Sequence, residues 1–166
     1  MVASVMSATR IHAHVNAPRE SVYRALLDAG AVATWMAPDG MTSHVHAFDA
    51  REGGEFRISL TYDRPTAAGT TSAQTDTFHG RFVKLAANQQ VVETVEFETD
   101  DPAMRGEMTI TYTLVDAEGG TEVFAVHDGL PAGVSTADNE TGWRMSLGKL
   151  AQLVETGACT AVAEQP

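Results

Sequence analysis

The residues best suited to acid–base chemistry in this chain of 166 amino acids are Glu93 and His127. Glu93 alternates in phase with the apolar Val91 and Val95, so a strand would direct its carboxyl group toward the core. A carboxyl group in apolar surroundings needs a partner or a raised pKa, and it can then act as a general acid or anchor a ligand. His127 alternates in phase with Val123 and could offer a polar contact there. Two alternatives stay open: a bulge or strand end could turn Glu93 to solvent, and His127 could make only a structural hydrogen bond.

Histidine pairs at alternating positions raise the question of a metal site. His44 and His46 would project from one face of a strand, as would His12 and His14, and this spacing occurs in metal sites. However, His12 and His14 lie opposite the apolar residues of their strand, and no further ligand motif accompanies the other pair. The sequence therefore predicts no metal site.

Other catalytic signatures are absent from the sequence. It contains no nucleophile-elbow, phosphate-loop or dinucleotide-binding motif. Its single cysteine, Cys159, follows the last predicted helix, which disfavours a catalytic thiol and excludes an intramolecular disulfide. The sequence therefore predicts no cofactor.

Composition and charge narrow the class of protein further. The chain is 43% hydrophobic and 20% charged, which is typical of one globular domain spanning 1–166, with an ordered core over about 9–156. Its net charge of −11 disfavours binding to nucleic acid or to an anionic membrane, because both would repel it. No apolar run approaches a membrane span, and the N terminus lacks the apolar core of a signal peptide, so we expect a soluble cytoplasmic protein.

Periodicity predicts an α+β fold. Alternating residues indicate a first strand near 10–15 and about six antiparallel strands after residue 40, with turns at Gly53-Gly54 and Gly119-Gly120. Two short helices follow the first strand, and a long C-terminal helix carries an apolar stripe that begins at Trp143, with Asp138 or Asn139 as its cap. The low-complexity stretch 65–75 indicates a loop, and the alternation over 78–85 cannot be phased because both faces are apolar.

The inward phases of these elements form one apolar face, and ordinary core is the simplest interpretation of any single member. Its members, with the aromatic and apolar residues that continue it, are Trp35, Phe56, Ile58, Leu60, Tyr62, Val95, Phe97, Met108, Ile110, Tyr112, Trp143 and Leu147.

Four spaced segments resemble a known family. They are 18–26 with Trp35 and Pro38, the hairpin 49–56 (DAREGGEF), Gly80 with 91–94 (VVET), and 121–150 with its Gly-Trp pair at 142–143. Together they resemble the SRPBCC superfamily, the helix-grip fold of the birch-pollen allergen and START domains. Within it, they are most similar to activators of the ATPase of the ninety-kilodalton heat-shock chaperone. The chain departs from that branch at Val95, where tryptophan is common.

This resemblance implies a curved sheet of six to seven strands around the C-terminal helix, and a ligand cavity between them lined by the apolar face. We therefore expect a protein that binds a small apolar or amphipathic ligand, with Glu93, His127 or Tyr62 orienting it. A metal-free polyketide cyclase or dehydratase, with Glu93 or His127 as acid or base, is one alternative. The other is a stress-response or chaperone-interaction module, and a homodimer is also possible.

Overall fold

The computed structural model of the chain describes residues 7–63 and 75–157. In chain order the elements are β1 (Ser7–Val15), α1 (Arg19–Leu26), α2 (Ala29–Trp35), β2 (Met41–Phe48), β3 (Glu55–Tyr62), β4 (Thr75–Ala86), β5 (Gln90–Phe97), a 3-10 helix (Pro102–Met104), β6 (Met108–Ala117), β7 (Gly120–Leu130) and α3 (Thr136–Glu155). The loop predicted over 65–75 and the tail with Cys159 lie outside the described residues, apart from the first residue of β4.

The seven strands form one antiparallel sheet in the order β1-β7-β6-β5-β4-β3-β2. Consecutive strands pair from β2 to β7, and β7 also pairs with β1. The sheet curls around α3, whose backbone lies closest to β1, α1 and α2. The predicted α+β helix-grip architecture, with two short helices after the first strand, is therefore confirmed.

The turn between β2 and β3 needs the two glycines that the sequence places there. Gly53 has a φ of +82°, which side chains other than glycine adopt at a cost. A Cβ atom on Gly54 would stand 2.0 Å from the carbonyl oxygen of Asp49, so this position also excludes a side chain. The turn predicted at Gly53-Gly54 is therefore confirmed, with the positive φ at Gly53.

The apolar stripe of α3 faces the sheet, as its spacing predicts. Leu147 and Leu150 are fully buried against the strands, while Trp143 at the start of the stripe is half-buried. The cap was predicted one turn too late, because the Oγ atom of Ser135 accepts the hydrogen bond from the backbone N–H of Asp138 at 3.2 Å. No helix among the described residues has the length and apolar character needed to cross a membrane.

The phase of β4 was not predictable because the strand contains an irregularity. Its register with β5 shifts between Phe82 and Lys84, so the inward and outward sets exchange places within the strand. Phe78 and Phe82 both point inward, and Phe82 packs against Phe56 with ring centroids 5.2 Å apart. These aromatic side chains close the β2–β3–β4 side of the core.

Candidate functional site

The predicted lining residues differ in exposure, and all of them except Tyr62 belong to the hydrophobic core or pack against it. Eight of the twelve are buried, namely Trp35, Phe56, Ile58, Val95, Met108, Ile110, Tyr112 and Leu147. The other four are half-buried, namely Leu60, Tyr62, Phe97 and Trp143. The strand register places Leu60, Tyr62 and Phe97 at one end of the sheet. Burial is therefore complete in the middle of this face and partial at that end.

A chain of rings crosses the interface from α2 to β7. The rings of Trp35 and Tyr112 meet edge to face at 6.3 Å, and those of Tyr112 and Trp143 at 5.9 Å. The Trp143 ring then meets the imidazole of His127 at 5.8 Å. Trp35 is fixed in this chain because its indole N–H donates to the carbonyl oxygen of Ala25 at 3.0 Å. The aromatic walls are thus held by edge-to-face packing rather than free to move.

His127 is fully engaged by neighbouring side chains. The indole N–H of Trp143 donates to His127 Nδ1 at 2.9 Å, and His127 Nε2 lies 3.1 Å from the sulfur of Met108. Burial lowers the pKa of His127 to about 4, so the ring is neutral at pH 7. Because Nδ1 accepts a hydrogen bond from the indole N–H of Trp143, the proton of the neutral ring sits on Nε2. His127 therefore serves to orient Trp143, which matches the structural alternative left open by the sequence.

Glu93 lies on the same face without such a partner. Its residue surface is only 7% exposed, so the alternative in which it turns to solvent is not what the structure shows. Among the described residues, its carboxyl group makes no hydrogen bond or ion pair. Burial alone raises the pKa of Glu93 to about 8. The group is consequently a neutral carboxylic acid near pH 7, with one O–H donor available.

The hydroxyl group of Tyr112 is a second polar group without a partner, and sequence analysis missed it by treating Tyr112 only as a wall. It is buried and has no hydrogen-bond partner among the described residues. Burial, and then the nearby Glu93, raise the pKa of this phenol well above its usual value. The period-2 phase could have shown that both residues share a face, but not that both lack partners. Two further buried oxygens, Thr9 Oγ1 on β1 and Asn139 Oδ1 on α3, are also unpaired in the described chain.

The histidine pairs do not form a metal centre. No group of three metal-ligating side chains occurs within residues 7–63 and 75–157. His44 and His46 pack edge to face at 4.5 Å, and His46 Nε2 contacts Ser59 Oγ at 2.8 Å. His14 on the outer face contacts Glu122 at 2.9 Å. These contacts are structural, and none of them faces the interface between the sheet and α3.

Two surface clefts lie elsewhere on the molecule. One, of about 560 Å³, is on the outer face of the sheet between charged side chains that include Arg57, His79 and Glu98. The other, of about 660 Å³, lies between the two short helices and the β2–β3 region, next to Tyr23 and Phe48. Neither cleft includes Glu93 or Tyr112, although the first is lined in part by Phe56 and Val95.

Comparisons with known proteins identify the chain's relatives. A family model described as "Activator of Hsp90 ATPase homolog 1-like protein" matches residues 16–155. No match is found among curated proteins. A crystal structure from Chromobacterium violaceum is 34% identical, covers 89% of this chain and 96% of its own, and superposes with a TM-score of 0.80.

Two more distant structures share the fold. A protein from Rhodobacter sphaeroides is 18% identical, with coverage of 92% and 97% and a TM-score of 0.74. An AHSA1-like protein from Aeromonas hydrophila, solved by NMR, is 20% identical, with coverage of 92% and 94% and a TM-score of 0.66. The family match spans most of the chain, and the fold agrees with it throughout. The chain therefore belongs to the family of Activator of Hsp90 ATPase homolog 1-like proteins, within the SRPBCC superfamily.

Proposed function

We propose that the protein binds a small apolar or amphipathic molecule between the inner face of the sheet and α3. The observation that carries this proposal is the Tyr112 hydroxyl, which is buried without a hydrogen-bond partner in the described chain, near the buried carboxyl of Glu93 on an otherwise apolar face. A buried polar group without a hydrogen bond costs about 1–3 kcal/mol. A ligand that supplies the missing partner would offset that cost.

The surface supports a small molecule over a protein partner. The exposed large apolar side chains of the described residues are Val83, Val115, Phe124 and Met145. They are spread over four elements, β4, β6, β7 and α3, and Phe124 is partly covered by stacking on His12 at 5.6 Å. Docking surfaces for proteins are contiguous apolar patches, which this distribution does not favour.

A metal-free cyclase or dehydratase is the second candidate, and Glu93 is the observation in its favour. A carboxylic acid whose pKa is about 8 is protonated at neutral pH and can act as a general acid. His127 does not support this function, since both of its ring nitrogens are occupied. Turnover that follows the ionisation of Glu93 would favour the enzyme over the carrier.

Binding can be tested with N-phenyl-1-naphthylamine, a neutral apolar probe that becomes fluorescent in apolar sites. We expect it to bind the wild-type protein, quench the emission of Trp35 and Trp143, and raise the melting temperature by mass action. Leu147→Trp should abolish probe binding, because Leu147 is a fully buried side chain of α3 facing the sheet. Met145→Trp adds the same ring to the exposed side of α3 and is the matched control.

Overpacking can unfold a core, so circular dichroism and the melting temperature accompany each variant. Met108→Phe is a milder filling substitution on β6 and replaces Leu147→Trp if that variant fails to fold. Probe binding by the wild type that both filling variants lose and Met145→Trp keeps would support the proposal. A wild-type protein that does not bind the probe, or filled variants that bind it unchanged, would contradict it.

A further inference from the structure

The second surface cleft has the composition of a small-molecule site, with an apolar floor under a charged rim. It is bordered by α1, by the link from α1 to α2 and by the turns that follow β2 and β4, and its volume is about 660 Å³. Ligand sites span roughly 300–1,000 Å³. Its floor comes from Tyr23, Leu27 and Phe48, which are half-buried and pack against the hydrophobic core. The first cleft, by contrast, is bordered mainly by charged side chains that already pair with one another, such as Arg57 with Glu98.

One face of α1 borders this cleft. Glu20, Tyr23, Arg24 and Leu27 recur at the i, i+3, i+4 and i+7 positions of the helix and its C-terminal cap, so they lie on one side of it. The two charged members of this stripe, Glu20 and Arg24, are exposed. The rim of the cleft on α1 therefore presents one anion and one cation, about one helical turn apart.

These two charges do not pair, although an equivalent pair elsewhere in the molecule does. On α3, Glu140 and Arg144 have the same residue types, order and spacing, and their side chains form an ion pair at 3.5 Å. The order with the glutamate nearer the N terminus is the favourable one for such a pair. On α1, neither Glu20 nor Arg24 takes part in a hydrogen bond or ion pair through its side chain with any described residue. Their charged groups therefore lie apart on the rim of the cleft.

Other charged side chains around the cleft have partners within the chain. Arg19 donates to Asp116 at 2.8 Å, and Asp28 accepts a hydrogen bond from the backbone N–H of Gly30 at 2.9 Å at the start of α2. Glu52, in the turn after β2, accepts a hydrogen bond from a backbone N–H of β4 at 3.0 Å. A molecule that enters the cleft consequently finds two charges of opposite sign on α1 that no described residue has neutralised.

We infer that the cleft beside α1 binds the zwitterion of a free α-amino acid with an aromatic side chain. The ammonium group of the ligand pairs with the Glu20 carboxylate, and its carboxylate accepts hydrogen bonds from the guanidinium group of Arg24. The aromatic side chain of the ligand packs on the rings of Tyr23 and Phe48 in the floor. This site is separate from the interface between the sheet and α3, and it does not depend on the binding function proposed above.

Ligands that carry a single charge fit this cleft less well. A cation leaves Arg24 unpaired and close to a like charge, and an anion does the same at Glu20. An anion is also repelled by the net charge of −11. A zwitterion without a ring satisfies both charges but leaves the apolar floor in contact with water. The cleft is therefore matched to a molecule that has both charges and an aromatic side chain.

Three compounds with the same phenylalkyl body separate the contributions of the two charges: L-phenylalanine, phenethylamine and 3-phenylpropionate. Titrations at low salt, followed by the backbone amide resonances, give both the dissociation constant and the location of each compound. We expect L-phenylalanine to shift the resonances of α1 and of residues 48–50. It should bind about two- to fivefold more tightly than phenethylamine, since an exposed ion pair contributes up to about fivefold. 3-Phenylpropionate should bind more weakly than either, and L-alanine, which lacks the ring, about tenfold more weakly than L-phenylalanine.

Variants assign each charge to its side chain. Glu20→Gln should weaken L-phenylalanine and phenethylamine about two- to fivefold without weakening 3-phenylpropionate. Arg24→Gln should weaken L-phenylalanine and 3-phenylpropionate by a similar factor without weakening phenethylamine. Glu140→Gln and Arg144→Gln make the same changes of charge in the paired residues of α3, outside the cleft, and should alter none of the three. All four side chains are substantially exposed, and circular dichroism checks that each variant is folded.

The outcomes distinguish this inference from the proposed function. A preference for L-phenylalanine that Glu20→Gln and Arg24→Gln each reduce, and that both α3 variants keep, would establish the site. L-phenylalanine that binds no more tightly than phenethylamine, or that binds both α1 variants as it binds the wild type, would overturn it. Resonance shifts along β5, β6 and α3 in place of α1 would also overturn it, because they would put the ligand at the interface instead. The result with N-phenyl-1-naphthylamine bears only on that interface, so the two proposals fail separately.

Discussion

Two carboxyl groups five residues apart, one on β5 and one just beyond it, have pKa values shifted in opposite directions. Glu93 faces the interface with α3, where burial raises its pKa to about 8. Glu98, directly after the strand, faces outward between Arg57 and His79, and hydrogen bonds from Arg57 chiefly lower its pKa to about 2. At neutral pH a glutamate side chain is therefore protonated on the inner face of the sheet and ionised on the outer face.

The difference shows on which face of the sheet the polar side chains find hydrogen-bond partners within the chain. On the outer face, Glu98 accepts two hydrogen bonds from Arg57 at 2.8 and 2.9 Å and contacts His79 at 3.0 Å. On the inner face, His127 and Trp143 satisfy each other, whereas Glu93 and Tyr112 have no partner in the described chain. The outer polar cluster is accounted for by its own contacts, whereas the Tyr112 hydroxyl on the inner face has no partner in the described chain.

The comparison is tested most strongly by the pH dependence of stability above pH 6.5. Unfolded Glu93 ionises near 4.5 while the folded protein holds the proton to about 8, so stability falls as the pH rises between these values. Because one pKa unit corresponds to about 1.4 kcal/mol, we expect a loss of about 2 kcal/mol between pH 6.5 and pH 9 that Glu93→Gln does not show. Urea unfolding from pH 5 to pH 9 measures it.

The stability contributed by His127 has the opposite pH dependence. This sets the pH range over which the wild type and Glu93→Gln must be compared. Its folded pKa of about 4 lies below the ordinary 6.5, so stability falls as the pH drops between these two values. Between about pH 4.5 and 6.5 the slopes due to Glu93 and His127 therefore oppose each other, and above pH 6.5 the contribution of His127 is absent. Parallel curves for the wild type and Glu93→Gln above pH 6.5 would mean that Glu93 is ionised in the folded protein.

The next largest effect concerns the satisfied pair on the inner face. Trp143→Phe removes the N–H group that His127 Nδ1 accepts and leaves a buried acceptor unpaired. We expect a loss of about 1–3 kcal/mol in the free energy of unfolding. A double-mutant cycle with His127→Leu should show coupling of about 1 kcal/mol, whereas additive losses would show that the two rings are merely packed together.

Removing the unpaired hydroxyl of Tyr112 should not lower the free energy of unfolding. Tyr112→Phe removes a buried polar atom that gains nothing in the ligand-free protein, so the free energy of unfolding should stay equal or rise by about 1 kcal/mol. Tyr23→Phe serves as the matched control, and thermal unfolding compares the two. A clear destabilisation by Tyr112→Phe would show that the hydroxyl already has a partner, such as an ordered water.

The smallest effect is expected on the outer face. Arg57→Gln removes the bidentate partner of Glu98, but both side chains are substantially exposed to solvent. We expect a loss of stability at pH 7 that is smaller than that from Trp143→Phe, and smaller still at high salt, because solvent and ions screen such pairs. Since the pKa of Glu98 is lowered by folding, the stability it contributes is present above about pH 4.5 and is lost as the pH falls toward 2. A loss as large as that from Trp143→Phe would contradict the contrast between the faces.

The sequence alone determined most of the architecture and the direction of many side chains. Alternation is a local property of the extended backbone, so it correctly placed Glu93, Ile110 and Tyr112 on one face and His12 and His14 on the other. The helical stripe of α3 and the glycine turn at residue 53 were predictable for the same reason. Where the backbone is irregular, as at the bulge between Phe82 and Lys84, the period breaks and prediction failed.

Only the tertiary structure decided which polar groups find partners. Arg57 reaches Glu98 across 41 positions of sequence, and Trp143 meets His127 because α3 folds back over the sheet. No local pattern encodes these contacts, since they depend on strand register, helix placement and distances of a few tenths of an ångström. For the same reason, the period could place Glu93 and Tyr112 on one face, but only the packed structure shows that both are buried and that the Tyr112 hydroxyl is unpaired.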